Sequence, residues 1–218
     1  MMTFDQIRKA AFDVGFDACG ITSPFIPEET IAFMEHWVGE SLPSKLHYIS
    51  KNRDKRYDPL LLVPGSKCIV VCLLSYEKCG KDYHRRIKSM LYSLKSELSN
   101  FGHSLDLYSE GQHIFCDSAP LLERQLAVQA GLGWIGRNRQ LIHPILGAMT
   151  HIGELFINEA VEGSLGVISS RCEDCEDCVL ACPTGALGRD LWRADRCRAY
   201  IDNKCTICQV VCPYNRKE

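Results

Sequence analysis

Eight of the thirteen cysteines fall within 41 residues, as Cys172-x2-Cys175-x2-Cys178-x3-Cys182-Pro183, then Cys197, then Cys205-x2-Cys208-x3-Cys212-Pro213. A 4Fe-4S cluster needs four thiolates converging on a compact core, and two-residue spacers let one tight loop aim three sulfurs at a point before proline stops the turn. The fourth cysteine of such a run serves the neighbouring cluster. By that rule Cys172, Cys175, Cys178 and Cys212 hold one cluster, and Cys182, Cys197, Cys205 and Cys208 hold a second. Structural zinc also uses CxxC, but as isolated pairs, without a third cysteine in the run or a repeated Cys-Pro ending. Disulfides fit poorly: Met1-Met2-Thr3-Phe4-Asp5 opens a charged, amphipathic segment with no apolar signal stretch, so a reducing, cytoplasmic compartment is expected.

A two-cluster module of this size moves single electrons and has little shape with which to bind a substrate. The rest of the chain must supply the group that is reduced. With 218 residues, 46% of them hydrophobic and 24% charged, the chain can bury one real core and append a small module. No apolar run approaches the roughly 20 residues needed to span a bilayer, so no membrane partner is expected. The net charge of -2 argues against a broad basic face.

The elements of the larger part read in order. Thr3 caps a helix with Phe4, Ile7, Ala11 and Val14 on one stripe, and Gly15 stops it. A short strand spans 17–22, and a second helix opens at Glu28 and runs toward Trp37. Lys45 to Tyr57 reads as a surface loop, or as a contact for ligand or RNA through Lys51, Arg53, Lys55 and Arg56. The apolar run from Cys68 to Tyr76 suits a strand buried on both faces of a central sheet, with Cys19, Cys68 and Cys72 as core residues. A helix from about Asp82 to Phe101 follows, then short strands near 104–108 and 113–116. Residues 139–143 and 149–157 read as further strands, and 159–170 as a linker. The expected architecture is an α/β (α+β) domain over residues 1–165 with a central sheet, followed by a ferredoxin-like domain over 166–218.

A second informative stretch runs from Cys116 to Arg137. A strand ends at Asp117, Pro120 starts a helix where its missing N–H costs nothing, and Gly131 ends it. Gly131, Gly133 and Gly136 surround Trp134, where backbone approaches something closely; a flat cofactor such as a flavin or corrinoid is one candidate. Asp117 reads either as a cap or as a proton donor. His84, His143 and His151 read equally well as structural histidines.

The order of these segments resembles the epoxyqueuosine reductase family, which is related to reductive dehalogenases. The likeness runs through Gly15-Phe16-Asp17-Ala18-Cys19-Gly20-Ile21, Leu62 to Ser66 and Asp82-Tyr83-His84. It continues through Asp117-Ser-Ala-Pro-Leu-Leu-Glu123, Ala130 to Gly136 and Gly153-Glu154, and ends with Cys178 to Gly185 and Cys208 to Asn215. The resemblance implies a cobalamin held by the first domain, with the clusters feeding electrons to cobalt for reduction of an epoxide on tRNA. It makes Asp117 the general acid, kept protonated by burial beside the corrin. It also implies a corrin pocket drawn from Arg56, His84, Asp117, Gly133, Trp134, Leu141 and His143, and a low-potential donor of the flavodoxin or ferredoxin type. Two departures from the family stand out: only seven residues separate Cys197 from Cys205, and no helical-repeat region follows Cys212. They leave two alternatives, a corrinoid-dependent reductase of a different small molecule and a ferredoxin-like electron carrier without corrinoid chemistry.

Overall fold

A computed structural model describes residues 2–41, 46–101, 110–188, 192–202 and 205–215. Thr3 ends a two-residue strand, β1 (Met2–Thr3), and caps helix α1 (Phe4–Asp13). Its backbone N–H donates to the Gln6 side chain at 2.9 Å and its hydroxyl accepts the Gln6 N–H at 3.4 Å, a reciprocal box that satisfies two orphan donors. Phe4, Ile7, Ala10 and Ala11 form the buried stripe. The helix stops ahead of Gly15, whose φ of +101° favours glycine. Strand β2 (Ala18–Thr22) and helix α2 (Glu28–Ser41) follow.

The expected loop between Lys45 and Tyr57 instead contains two short helices, α3 (Tyr48–Lys51) and α4 (Arg53–Tyr57). Propensity gave no sign of them because their support is tertiary: Leu46 and Ile49 pack against Trp37 and Ala194. Strand β3 (Cys68–Ser75) leads through α5 (Tyr76–Cys79) to the long helix α6 (Tyr83–Asn100), whose Ile87, Leu91, Leu94 and Leu98 are fully buried. The strand expected near 104–108 lies outside the described residues.

Strand β4 (His113–Phe115) precedes helix α7 (Glu123–Gln129). The expectation that Pro120 starts this helix fails. Asp117 adopts a left-handed φ of +49°, a conformation Asp tolerates, and the chain turns irregularly until Glu123, whose side chain accepts the Asp117 N–H. The strand expected at 139–143 is reduced to β6 (Leu141–Ile142), paired with β5 (Trp134–Ile135) in a small hairpin, because Arg139 also takes a positive φ. Strand β7 (Thr150–Ile157) completes an antiparallel sheet in the order β2-β3-β7-β4. The segment read as a linker begins with β8 (Val161–Glu162), which pairs in parallel with β1, so its first part is tied to the larger domain.

Both faces of this sheet are covered. Cys19, Val70, Cys72, Leu155 and Ile157 share one core with α1 and α6; Ile69, Val71, Leu73, Ile152 and Phe156 share the other with α7. That is why β3 reads as one unbroken apolar run although its neighbours are antiparallel; such sheets more often leave one face to water. Closeness across the second face is set by Gly20, where a Cβ would lie 2.1 Å from the Ala130 carbonyl oxygen. Gly20→Ala is therefore expected to cost about 1–3 kcal/mol of stability, measured by urea denaturation, since backbone must shift to admit the methyl.

Candidate active site

The sheet ends at β4 and the start of β7 in a group of polar side chains. Tyr83, the first residue of α6, donates its hydroxyl to Asp117 Oδ2 at 2.8 Å. The Tyr83 ring is sandwiched, with His84 at 3.9 Å and His151 at 3.7 Å, and Tyr76 lies against the far side of His151 at 4.3 Å. His84 Nδ1 is 3.2 Å from the Cys116 carbonyl oxygen; a carbonyl only accepts, so Nδ1 carries the proton. His84 thus holds the strand end from which Asp117 leaves. Burial lowers the pKa of His151, and burial together with the bond to Asp117 raises that of Tyr83. Tyr83 and His151 are therefore neutral near pH 7.

Asp117 itself is exposed. The acid that burial keeps protonated is its neighbour Glu123, whose Oε1 accepts the Asp117 N–H at 2.7 Å. Burial first, then the adjacent Asp117 charge, push the Glu123 carboxyl up to about 8. Sequence reasoning missed this residue as an acid. The signal available was its position six residues after Asp117, at the start of a helix.

Asp117 and Glu123 border a cavity of about 600 Å³ that also includes Arg56 and Leu141. Phe33, Trp37, Leu121 and Ile135 give it apolar walls. Arg56, half-buried, donates Nη1 to the Leu121 carbonyl at 3.4 Å and lies over the Tyr48 ring, while its Nε is buried without a partner. Burial lowers the pKa of its guanidinium, against the pull of Tyr48 and Glu123.

Other expected pocket residues stand apart from this cavity. Gly133 lies against the hairpin, where a Cβ would meet the Ile142 carbonyl oxygen at 2.1 Å. Trp134 is buried toward the cysteine-rich module with Cys212 and Tyr214. His143 accepts the N–H groups of Ile145 and Leu146 at 3.1 Å each, closing a turn. The glycines around Trp134 therefore serve close packing within the protein: Gly133 against the hairpin backbone, Gly136 against the Ile142 and Asn138 side chains, and Gly131 against Leu165 and Gly166.

The eight clustered cysteines ring two further cavities. Cys172, Cys175, Cys178 and Cys212 line one; Cys182, Cys197, Cys205 and Cys208 line the other. Among the described residues no three Cys, His, Asp or Glu side chains converge tightly enough to hold a single metal ion. The second thiol cavity shares Arg124, Arg139, Gln140, Trp192 and Tyr200 with the large cavity, and it meets the first thiol cavity at Asn138. Asn138 donates to the Cys208 carbonyl at 3.3 Å, Gln209 to that of Ala148 at 3.1 Å, and Trp37 Nε1 to that of Trp192 at 3.0 Å, with the two indoles stacked.

A mixed helix-strand fold carrying an acid site beside a thiol-lined module defines an iron–sulfur oxidoreductase, and residues 165–188 match the model of the 4Fe-4S binding domain. Over 96% of its length the chain is 32% identical to the epoxyqueuosine reductase of Leadbetterella byssophila, covering 79% of that protein. The chain belongs to the epoxyqueuosine reductase family. Its fold is that of an epoxyqueuosine reductase solved with an epoxyqueuosine-modified tRNA stem loop (TM-score 0.79, 24% identity, 97% of this chain and 64% of that one). It is also similar to a reductive dehalogenase whose structure suggests a mechanism for B12-dependent dehalogenation (TM-score 0.57, 17% identity, 97% and 32%). The chain spans just under two thirds of the first of these solved proteins and about a third of the second.

The raised Glu123 pKa has a measurable consequence for stability. The folded state holds the proton up to about 8 while the unfolded chain releases it near 4.5, so this contribution is complete below pH 4.5 and is lost as pH rises to 8. Glu123→Gln keeps an acceptor for the Asp117 N–H and removes the titration. Melting temperatures should shift in favour of the variant across that window and level off above it.

Proposed function

We propose that this chain is a cobalamin-dependent iron–sulfur reductase acting on epoxyqueuosine in tRNA, with Asp117 as general acid. The observation that carries the reading is the position of Asp117 at a cavity that shares part of its lining with a cysteine-lined one. The residues fit cobalamin: apolar walls suit a corrin face, and Arg56 offers a buried Nε donor without a partner to the polar corrin edge. Reduced cobalamin supplies a strongly nucleophilic metal centre. Arg56 and Leu141 would hold the corrin from the cavity side; His84, Gly133, Trp134 and His143 would support the site through backbone and packing.

The protein's own share of the chemistry is proton delivery. Asp117 gives its proton to the departing epoxide oxygen, because an alkoxide leaves poorly near neutral pH. Tyr83, clamped between His84 and His151, fixes the carboxyl through its 2.8 Å hydrogen bond. Residues 1–165 form the reductase domain and 166–218 the domain with two 4Fe-4S clusters. The Cys172, Cys175, Cys178 and Cys212 set and the Cys182, Cys197, Cys205 and Cys208 set would each hold one cluster and supply single electrons, the second set being the one whose cavity shares lining residues with the large cavity. The donor is a low-potential flavodoxin or ferredoxin, and the protein works in the cytoplasm, with no helix among the described residues long and apolar enough to cross a membrane.

With both cofactors loaded under anaerobic conditions and a low-potential reductant, the protein should convert an epoxyqueuosine-modified stem loop. Asp117→Asn should lower the rate by roughly 10²- to 10⁴-fold; an unchanged rate removes the acid role. The ligand assignment makes a separate prediction. Cys212→Ser and Cys197→Ser should each lose about half of the reconstituted iron and sulfide, from different clusters by electron paramagnetic resonance.

A further inference from the structure

The site contains three carboxyl groups, and only Asp117 has a task. Glu154 lies beneath on β7. A Cβ on Gly153 would meet Ile87 of α6 at 2.5 Å, so Glu154 points to the opposite face, with Ile152 and Phe156 beneath α7. It is 0% exposed and neither oxygen has a hydrogen-bond partner. A carboxylate there would be far costlier than a carboxylic acid, and burial with Glu123 and Asp117 nearby keeps it protonated. Glu123, between the two, accepts the Asp117 N–H and has its carboxyl within hydrogen-bond reach of the Asp117 carboxyl. Two carboxyl groups can share such a bond only if one carries a proton. Arg56 and Arg124 face Glu123 from α4 and α7, and Lys88 of α6 faces Cys116. Tyr83, His151 and the thiols of Cys72 and Cys116 are the other titratable neighbours of the three carboxyls.

Reduction of an epoxide to an alkene takes two electrons and two protons. Both C–O bonds break, a C=C bond forms, and the single oxygen leaves as water carrying both protons. One aspartic acid holds one proton. Building on the epoxide reading above, we propose that Glu123 is the proton source behind Asp117: its proton passes to Asp117, which protonates the oxygen as the first C–O bond opens, and after Glu123 takes a proton from solvent the same relay supplies the second as the other bond breaks. The two electrons come from a low-potential, one-electron protein donor through the cysteine-bound clusters. Glu123 is then refilled from solvent at the cavity mouth. Glu123 acts through Asp117 and is a positioning and relay residue.

Infrared difference spectroscopy of the cluster-loaded chain tests this without turnover, by the carbonyl stretch of protonated carboxyls between about pH 6 and about pH 10. One carboxyl should deprotonate near 8 and vanish in Glu123→Gln, while a second persists across the range and vanishes in Glu154→Gln. In turnover, kcat of the wild type should fall on the alkaline side of the same step. Glu123→Gln should lose that limb and run about 10²-fold slower, with Glu123→Asp restoring part of the rate. Absence of a carboxyl titrating near 8, or a Glu123→Gln enzyme with wild-type rate and alkaline limb, overturns the relay alone. A wild-type enzyme that binds both cofactors yet fails to turn over rejects the epoxide reading, and the relay falls with it.

Discussion

The antiparallel register that pairs β7 with β3 and β4, setting Glu154 opposite Val71 on one side and Phe115 on the other, is the constraint on which the site depends. Side chains alternate between sheet faces, so a slip of one residue would send Glu154 into the α6 face and turn the end of β4 over, carrying Asp117 with it. Apolar cores on both faces prevent that slip. They also offset the cost of leaving a protonated carboxyl without a partner in the interior. The acid site is thus fixed by the most rigid part of the molecule, although Asp117 sits on an exposed, irregular turn.

The second constraint is contact between the sheet domain and the cysteine-rich module. Stacked Trp37 and Trp192 and the hydrogen bonds from Asn138, Gln209 and Trp37 join the two parts at several separate points. The Asn215 side chain accepts the Ala148 N–H at 2.7 Å beside Gly147, where a Cβ would collide with it. These contacts bring the second thiol set to the wall of the large cavity, and in the proposed reaction that wall is the route by which electrons arrive.

Much of this was legible in the sequence, for identifiable reasons. The CxxC spacing sorted eight cysteines into the same two sets of four that line two separate cavities, because ligand spacing in a tight loop is a local property. The continuous apolar run revealed β3 as a doubly covered strand, but not that its neighbours would be antiparallel. Asp117 and Arg56 were singled out and do share a cavity. The glycines around Trp134 suggest a cofactor approach from sequence, whereas they accommodate the hairpin at Gly133 and Gly136 and residues 165 and 166 at Gly131; a glycine reports closeness without naming the neighbour. Glu123 escaped notice as an acid because its environment depends on Asp117, Arg56 and the sheet beneath, none of which is next to it in the chain. Pro120 misled for a similar reason: the turn at Asp117 uses residues that local propensity assigns to a helix.

The central claim is that the large cavity binds a corrin beside Asp117, and an absorption titration of the anaerobically reconstituted, cluster-loaded chain with cobalamin tests it most directly. The account predicts saturable binding of one cobalamin per chain with a change in the corrin spectrum, weakened when Arg56 is replaced by alanine. A spectrum that remains the sum of its components would contradict it and leave an electron carrier in its place.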